Sequence, residues 1–142
     1  MNFDPDNSIV KLCAQGMELE GKGETEEAHK LFLLAWQAAA TDFEKFISAH
    51  YVARHQQTVA DKLKWDEIAL QAALKIGEKT MQANYPSLYL NVAKCYEDLR
   101  DFDKAKENYQ LASLFSGKLP DDGYGKMIIS GIKNGIERVS QL

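Results

Sequence analysis

Apolar residues recur every three to four positions along nearly the whole chain, and no segment shows the sustained alternation or β-branched clustering of a strand. The pattern predicts an all-α fold of seven helices. The first runs from about Ser8 to Glu20, behind Pro5 and an Asn7-Ser8 start signal, and stops in the Gly21-Lys22-Gly23 turn. Its inward positions include Ile9, Leu12, Gly16 and Leu19. The second begins at Thr25, whose hydroxyl is placed to cap the first turn while Glu26 and Glu27 favour the positive end of the dipole, and continues to about Ala40. Asp42 is expected to cap the third, which carries Phe43, Phe46, Ile47 and Tyr51 at helical spacing. The fourth covers about Asp61 to Lys79, with Trp65, Ile68, Ala69, Ala72, Ala73 and Ile76 inward. Pro86 suits the first turn of the fifth, Asp101 caps the sixth, and Ser116-Gly117 ends it before Pro120. Asp121 and Asp122 open the seventh, which bears Ile128, Ile132, Ile136 and Val139 on one side.

Two stretches share one spacing. Tyr89-x-x-Val92-Ala93-x-x-Tyr96 is followed by Ala105-x-x-x-Tyr109-x-x-Ala112, and Leu12-x-x-Gln15-Gly16-x-x-Leu19 by Ala28-x-x-x-Phe32-x-x-Ala35. Small residues fit where helix backbones nearly touch, aromatic residues fill the space beside them, and Leu99-Arg100-Asp101-Phe102 leaves room only for a tight turn. Each stretch is therefore a helix hairpin, a unit that stacks on copies of itself because it cannot bury both faces alone. Together they resemble the tetratricopeptide repeat, whose pattern runs W-x-x-L-G-x-x-Y, then A-x-x-x-F-x-x-A, then a proline. Gly16 and Ala93 stand at the glycine place, and Ala28 and Ala105 at the first alanine place. Ala40, Met81 and Gly117 stand where the proline belongs. In the middle unit Ala53 is the small residue, and Ala69 follows about one helical turn later than the pattern requires. The resemblance covers about residues 8–117. It implies a right-handed α-solenoid within one domain, 1–142: repeat 1 about 8–41, a lengthened repeat 2 about 42–82, repeat 3 about 86–117, and a capping helix about 121–142. The seventh helix has a second reading, pairing with another copy of the chain through Gly131 and Gly135.

Length and charge narrow the classes of function. A chain of 142 residues suffices for one domain without disulfides or metal, and its net charge of −4 leaves no basic excess for a phosphate backbone. Nucleic acid is not an expected partner. Cys13 and Cys95 lie far apart among apolar neighbours, with no metal or redox spacing, and read as buried reduced thiols. The amino terminus carries no basic or apolar leader pattern and the longest apolar run, Leu31 to Trp36, is too short to span a bilayer, so the expected location is the cytoplasm.

Catalytic chemistry finds no footing. His50 and His55 lie about 140° apart around a helix and cannot chelate a metal from one face, while His29 belongs to another helix. Gly123-Tyr124-Gly125-Lys126 has no preceding strand to make it a phosphate loop, and no strand-glycine-helix unit exists to hold a nucleotide cofactor. The expectation is a protein that is not an enzyme and uses no metal or cofactor.

In tetratricopeptide stacks the first helix of each unit lines a groove that binds extended peptides. The resemblance places Val10, Cys13, Met17 and Glu20 on that face in the first unit, His50, Tyr51 and Arg54 in the second, and Ser87, Leu90, Asn91, Lys94 and Glu97 in the third. The family's clamp for acidic carboxy termini is missing, because Cys13, Met17, Tyr51, Ser87 and Asn91 occupy its places. Arg54 and Lys94 are left to hold an acidic side chain beside an apolar anchor near Met17 and Leu90; the other reading is that both are ordinary solvated helix charges. On the second helix, residues 31–40 spread apolar side chains over an arc of roughly 220°. Either its two neighbouring helices cover both flanks, or Leu33 and Trp36 form a patch for self-association. The expected role is an adaptor that binds a protein or peptide segment. A homodimeric scaffold using the second or seventh helix is the alternative, and a small-ligand sensor near His50 and Tyr51 a third.

Overall fold

The computed structural model describes residues 4–142. Among these, regular structure consists of seven α-helices and two short 3-10 helices, with no strand. The α-helices are α1 (Ser8–Gly21), α2 (Thr25–Ala38), α3 (Asp42–Ala53), α4 (Val59–Ile76), α5 (Tyr85–Asp98), α6 (Phe102–Leu114) and α7 (Gly123–Ser140). The 3-10 helices are Lys79–Asn84 and Ser116–Lys118. The chain divides into two compact units, one up to Ile76 and one from Gly77 to Leu142.

In the first unit α1 packs on α2, α2 on α3 and α3 on α4, and α1 also reaches α3. Gly16 seats the Phe32 ring of α2 against α1: a Cβ there would lie 2.4 Å from that ring, which is fully buried. Ala28, Ala35, Ala49, Ala69 and Ala73 are likewise fully buried, so small residues line these interfaces throughout. The starts of α1 and α3 are tied together. Asn7 Oδ1 accepts the Ile9 and Val10 N–H groups, while its amide nitrogen donates to Glu44 at 2.9 Å. Glu44 in turn accepts from the Ala40 and Thr41 N–H groups, and the Thr41 hydroxyl accepts from Glu44 N, completing a capping box.

Several boundaries differ from expectation for local reasons. Thr41, not Asp42, caps α3, because Glu44 sits three residues after it; Asp42 is the first helical residue. The Thr25 side chain does not cap α2, whose N-cap is Glu24 with no side-chain bond, and α2 ends at Ala38 where Ala39 turns extended. The Thr58 hydroxyl accepts the Asp61 N–H, so α4 starts at Val59, and it stops at Ile76 ahead of Gly77, whose φ is 66°.

In the second unit α5 and α6 form the hairpin and α7 packs against both. Ala93, Ala105, Tyr109 and Val139 make a buried cluster flanked by Leu90, Tyr96, Phe102 and Ile136. Gly131 and Gly135 are seats within this unit: a Cβ at Gly135 would lie 2.2 Å from the Tyr109 ring, and one at Gly131 would lie 3.1 Å from Leu90 Cδ2. Asp122 caps α7 through Gly125 N. Tyr85, Tyr89 and Phe115 stack around the hairpin end, with Tyr89 parallel to Phe115.

Both matched hairpins close in the same way. After α1, Gly23 N–H bonds to Glu20 O and Glu24 N–H to Leu19 O; after α5, Arg100 N–H bonds to Glu97 O and Asp101 N–H to Tyr96 O. These are Schellman closures, which need one left-handed residue. Gly23 supplies it at φ 81°, and Arg100 at φ 65°.

Candidate functional site

The end of α3 faces the end of α1, and the side chains there form one connected group. Arg54, the exposed C-cap of α3, lies 5.3 Å above the Tyr51 ring and 3.5 Å from a Glu20 carboxylate oxygen. The other Glu20 oxygen is 2.7 Å from His55 Nε2. Tyr51 stacks on Phe32 at 5.0 Å, His55 tilts against both Phe32 and His29, and His50 meets Tyr51 edge-on. Burial, and then the nearby His55, hold His29 below the usual imidazole range. Burial also lowers His50, partly offset by the Asp66 carboxylate. Neither Nδ1 has a hydrogen-bond partner, so both imidazoles sit most favourably as neutral rings. Burial raises the Tyr51 hydroxyl. The outward product is a guanidinium held over an aromatic ring. Met17 lies one turn before Glu20 on α1 and is 46% exposed.

Of the residues the sequence placed on this face, Met17, His50, Tyr51 and Arg54 are partly or fully accessible, whereas Cys13 is 1% exposed. The Cys13 thiol therefore offers no surface, and burial pushes its pKa up to about 11. Sequence reasoning separated the three histidines, yet ring contacts link His29 to His55 and join His50 through Tyr51 and Phe32. Those ring contacts join α2 to the end of α3, and Glu20 reaches Arg54 and His55 from 34 and 35 positions earlier, separations at which local spacing carries no signal.

On the second unit, Leu90 is not an open anchor, because α7 lies against it at Gly131. Lys94 pairs with Asp98 one turn on, Asn91 is half-buried, and the Ser87 hydroxyl donates to Asn84 O. Glu97 faces α7: it accepts from Tyr109 Oη at 2.6 Å and from Arg138 Nε at 2.8 Å. Those bonds, Arg138 foremost, hold its carboxyl below the usual range, and burial together with Glu97 drives the Tyr109 hydroxyl up.

Leu33 and Trp36 are both half-buried, and Trp36 meets Trp65 of α4 edge-on at 5.1 Å. The broad apolar arc of α2 thus has α1, α3 and α4 around it, and Leu34, 49% exposed, is its most open large residue. Residues 123–126 form the first turn of α7, with the Pro120 carbonyl against Gly125. No cluster of metal-ligating side chains occurs among the described residues, and none of their helices is long and apolar enough to cross a membrane. Comparison with protein-family models, with curated proteins and with solved structures finds no match to this chain.

Proposed function

We propose that this chain is a non-catalytic, cytoplasmic interaction module of tetratricopeptide-like construction, an adaptor that binds a protein or peptide segment along the first helices of its hairpins. The observation that supports this reading most is the exposed Arg54 guanidinium over Tyr51 and 3.5 Å from Glu20, with the exposed Met17 one turn before Glu20 on α1. A cation steered by a ring and a carboxylate, with an apolar side chain on the neighbouring helix, suits an acidic segment with an apolar residue beside the acid. In the second unit Lys94 on α5 is a separate exposed cation, paired with Asp98. Affinity capture with the wild type and with an Arg54→Glu, Lys94→Glu double variant tests the proposal. Both positions are exposed, so the variant should keep its far-ultraviolet signature while losing captured proteins. An unchanged set of partners would count against it.

A self-associating subunit is the second reading, supported by Tyr124 at 46% and Met127 at 62% exposure, three residues apart on α7. Light scattering separates the two, since a strict monomer at high concentration excludes the scaffold.

A further inference from the structure

A concave surface lies wholly within the first unit. A groove of about 430 Å³ opens between the end of α2, the first turn of α3 and one face of α4. Trp36, Ile68 and Ala72 give it an apolar floor. Lys45, Lys64 and Lys75 stand around that floor, all exposed, and none makes an ion pair with a described residue. Asp42 and Glu67 also line the groove, but both are half-buried. Asp42 sits where the α3 dipole favours a carboxylate, and Glu67 is already engaged within the chain. The most exposed groups around the apolar floor are therefore three ammonium groups and the Gln71 amide, with the two carboxylates less open. Lys64 and Lys75 mark the two ends, roughly 16 Å apart along the α4 axis, with Ile68 and Ala72 between them on the same face.

We propose that this groove docks an acidic amphipathic protein segment. The charge arrangement selects the occupant: apolar side chains at the middle of the segment rest on Trp36 and Ile68, and carboxylates at its ends meet Lys64 and Lys75. The length accommodates about three helical turns or about five extended residues, the span of a short linear segment. Arg54 and Met17 do not line this groove, so the inference stands independently of the adaptor surface proposed above.

The chain carries its own probe. Its two tryptophans are Trp36, in the floor, and Trp65, in edge contact with it, so tryptophan emission reports on the groove. The full chain is titrated with a blocked peptide of about a dozen residues, glutamate at both ends and leucine and phenylalanine at the centre. A saturable change in emission is expected, weakened roughly tenfold in a Lys64→Glu, Lys75→Glu variant and less in Lys64→Gln, Lys75→Gln, and falling as salt rises. The Gln variant guards against a fold disturbed by charge reversal. Four outcomes would overturn the proposal: an equal response to a lysine-ended peptide, an equal response to inorganic phosphate or a serine-centred acidic peptide, unchanged affinity in both variants, or no saturable change. Emission that depends on protein concentration without peptide would assign the groove to a second copy of the chain and would equally overturn it.

Discussion

At the scale of single residues, two glycines of α7 that look alike in sequence have opposite roles. Gly135 carries the Tyr109 ring, which fills a fully buried site and cannot retreat; Gly131 meets only the end of the Leu90 side chain. Gly135→Ala is therefore expected to destabilise by about 1–3 kcal/mol through overpacking, whereas Gly131→Ala should be neutral or gain up to about 1 kcal/mol of helix propensity. Urea midpoints of the two variants decide this. Arg100 shows the reverse case, a side chain where glycine belongs. Arg100→Gly relieves the left-handed backbone but forfeits the guanidinium contact over Phe102, and a net gain of roughly 0.5–1 kcal/mol is expected in the same assay. The histidines supply a pH dependence. Because His29 and His50 have folded pKa values below the unfolded value, the unfolded chain binds more protons, and stability falls as pH drops below roughly 6.5. Glu44 and Glu97 are depressed carboxyls, so their contribution is lost only in a second, more acidic window. A His29→Asn, His50→Asn variant should flatten the first slope and leave the second, as read from thermal midpoints across pH.

At the scale of elements, the positions of the seven helices were legible because small residues and turn signals recur with the hairpins. Their exact edges were less so where two start signals stood side by side. Thr41 and Asp42 are both good caps, and the tie is broken by Glu44, which completes a box with Thr41 and also receives Asn7 from α1. Glu44→Ala removes acceptors for two backbone N–H groups and one amide, and a loss of about 1–2 kcal/mol is expected in chemical denaturation. The short 3-10 helix over Lys79–Asn84 had no sequence signature, since its residues follow no apolar period. The candidate surface was legible at Arg54 and Met17, which helical spacing exposes, but not at Leu90 and Glu97. Those two look outward on α5 alone, and only the later arrival of α7, with Gly131 beside Leu90 and Arg138 on Glu97, explains their engagement. Likewise Cys13 shares a helical face with Met17 yet is covered, because a repeat pattern fixes faces and not depth.

At the scale of the whole molecule, the division at Gly77 leaves each compact unit with a single buried thiol, Cys13 in one and Cys95 in the other. Chemistry has thereby placed a clock in each half of the chain. A thiol reagent reaches a buried sulfur only when its surroundings come apart, so the labelling rate of a one-cysteine variant measures how often that half opens. With Cys95→Ala and Cys13→Ala variants, each remaining sulfur is expected to react about a thousandfold or more slowly than in denaturant, as followed by mass spectrometry. Rates that rise together with added urea would report joint opening; rates that diverge would report halves that breathe on separate schedules.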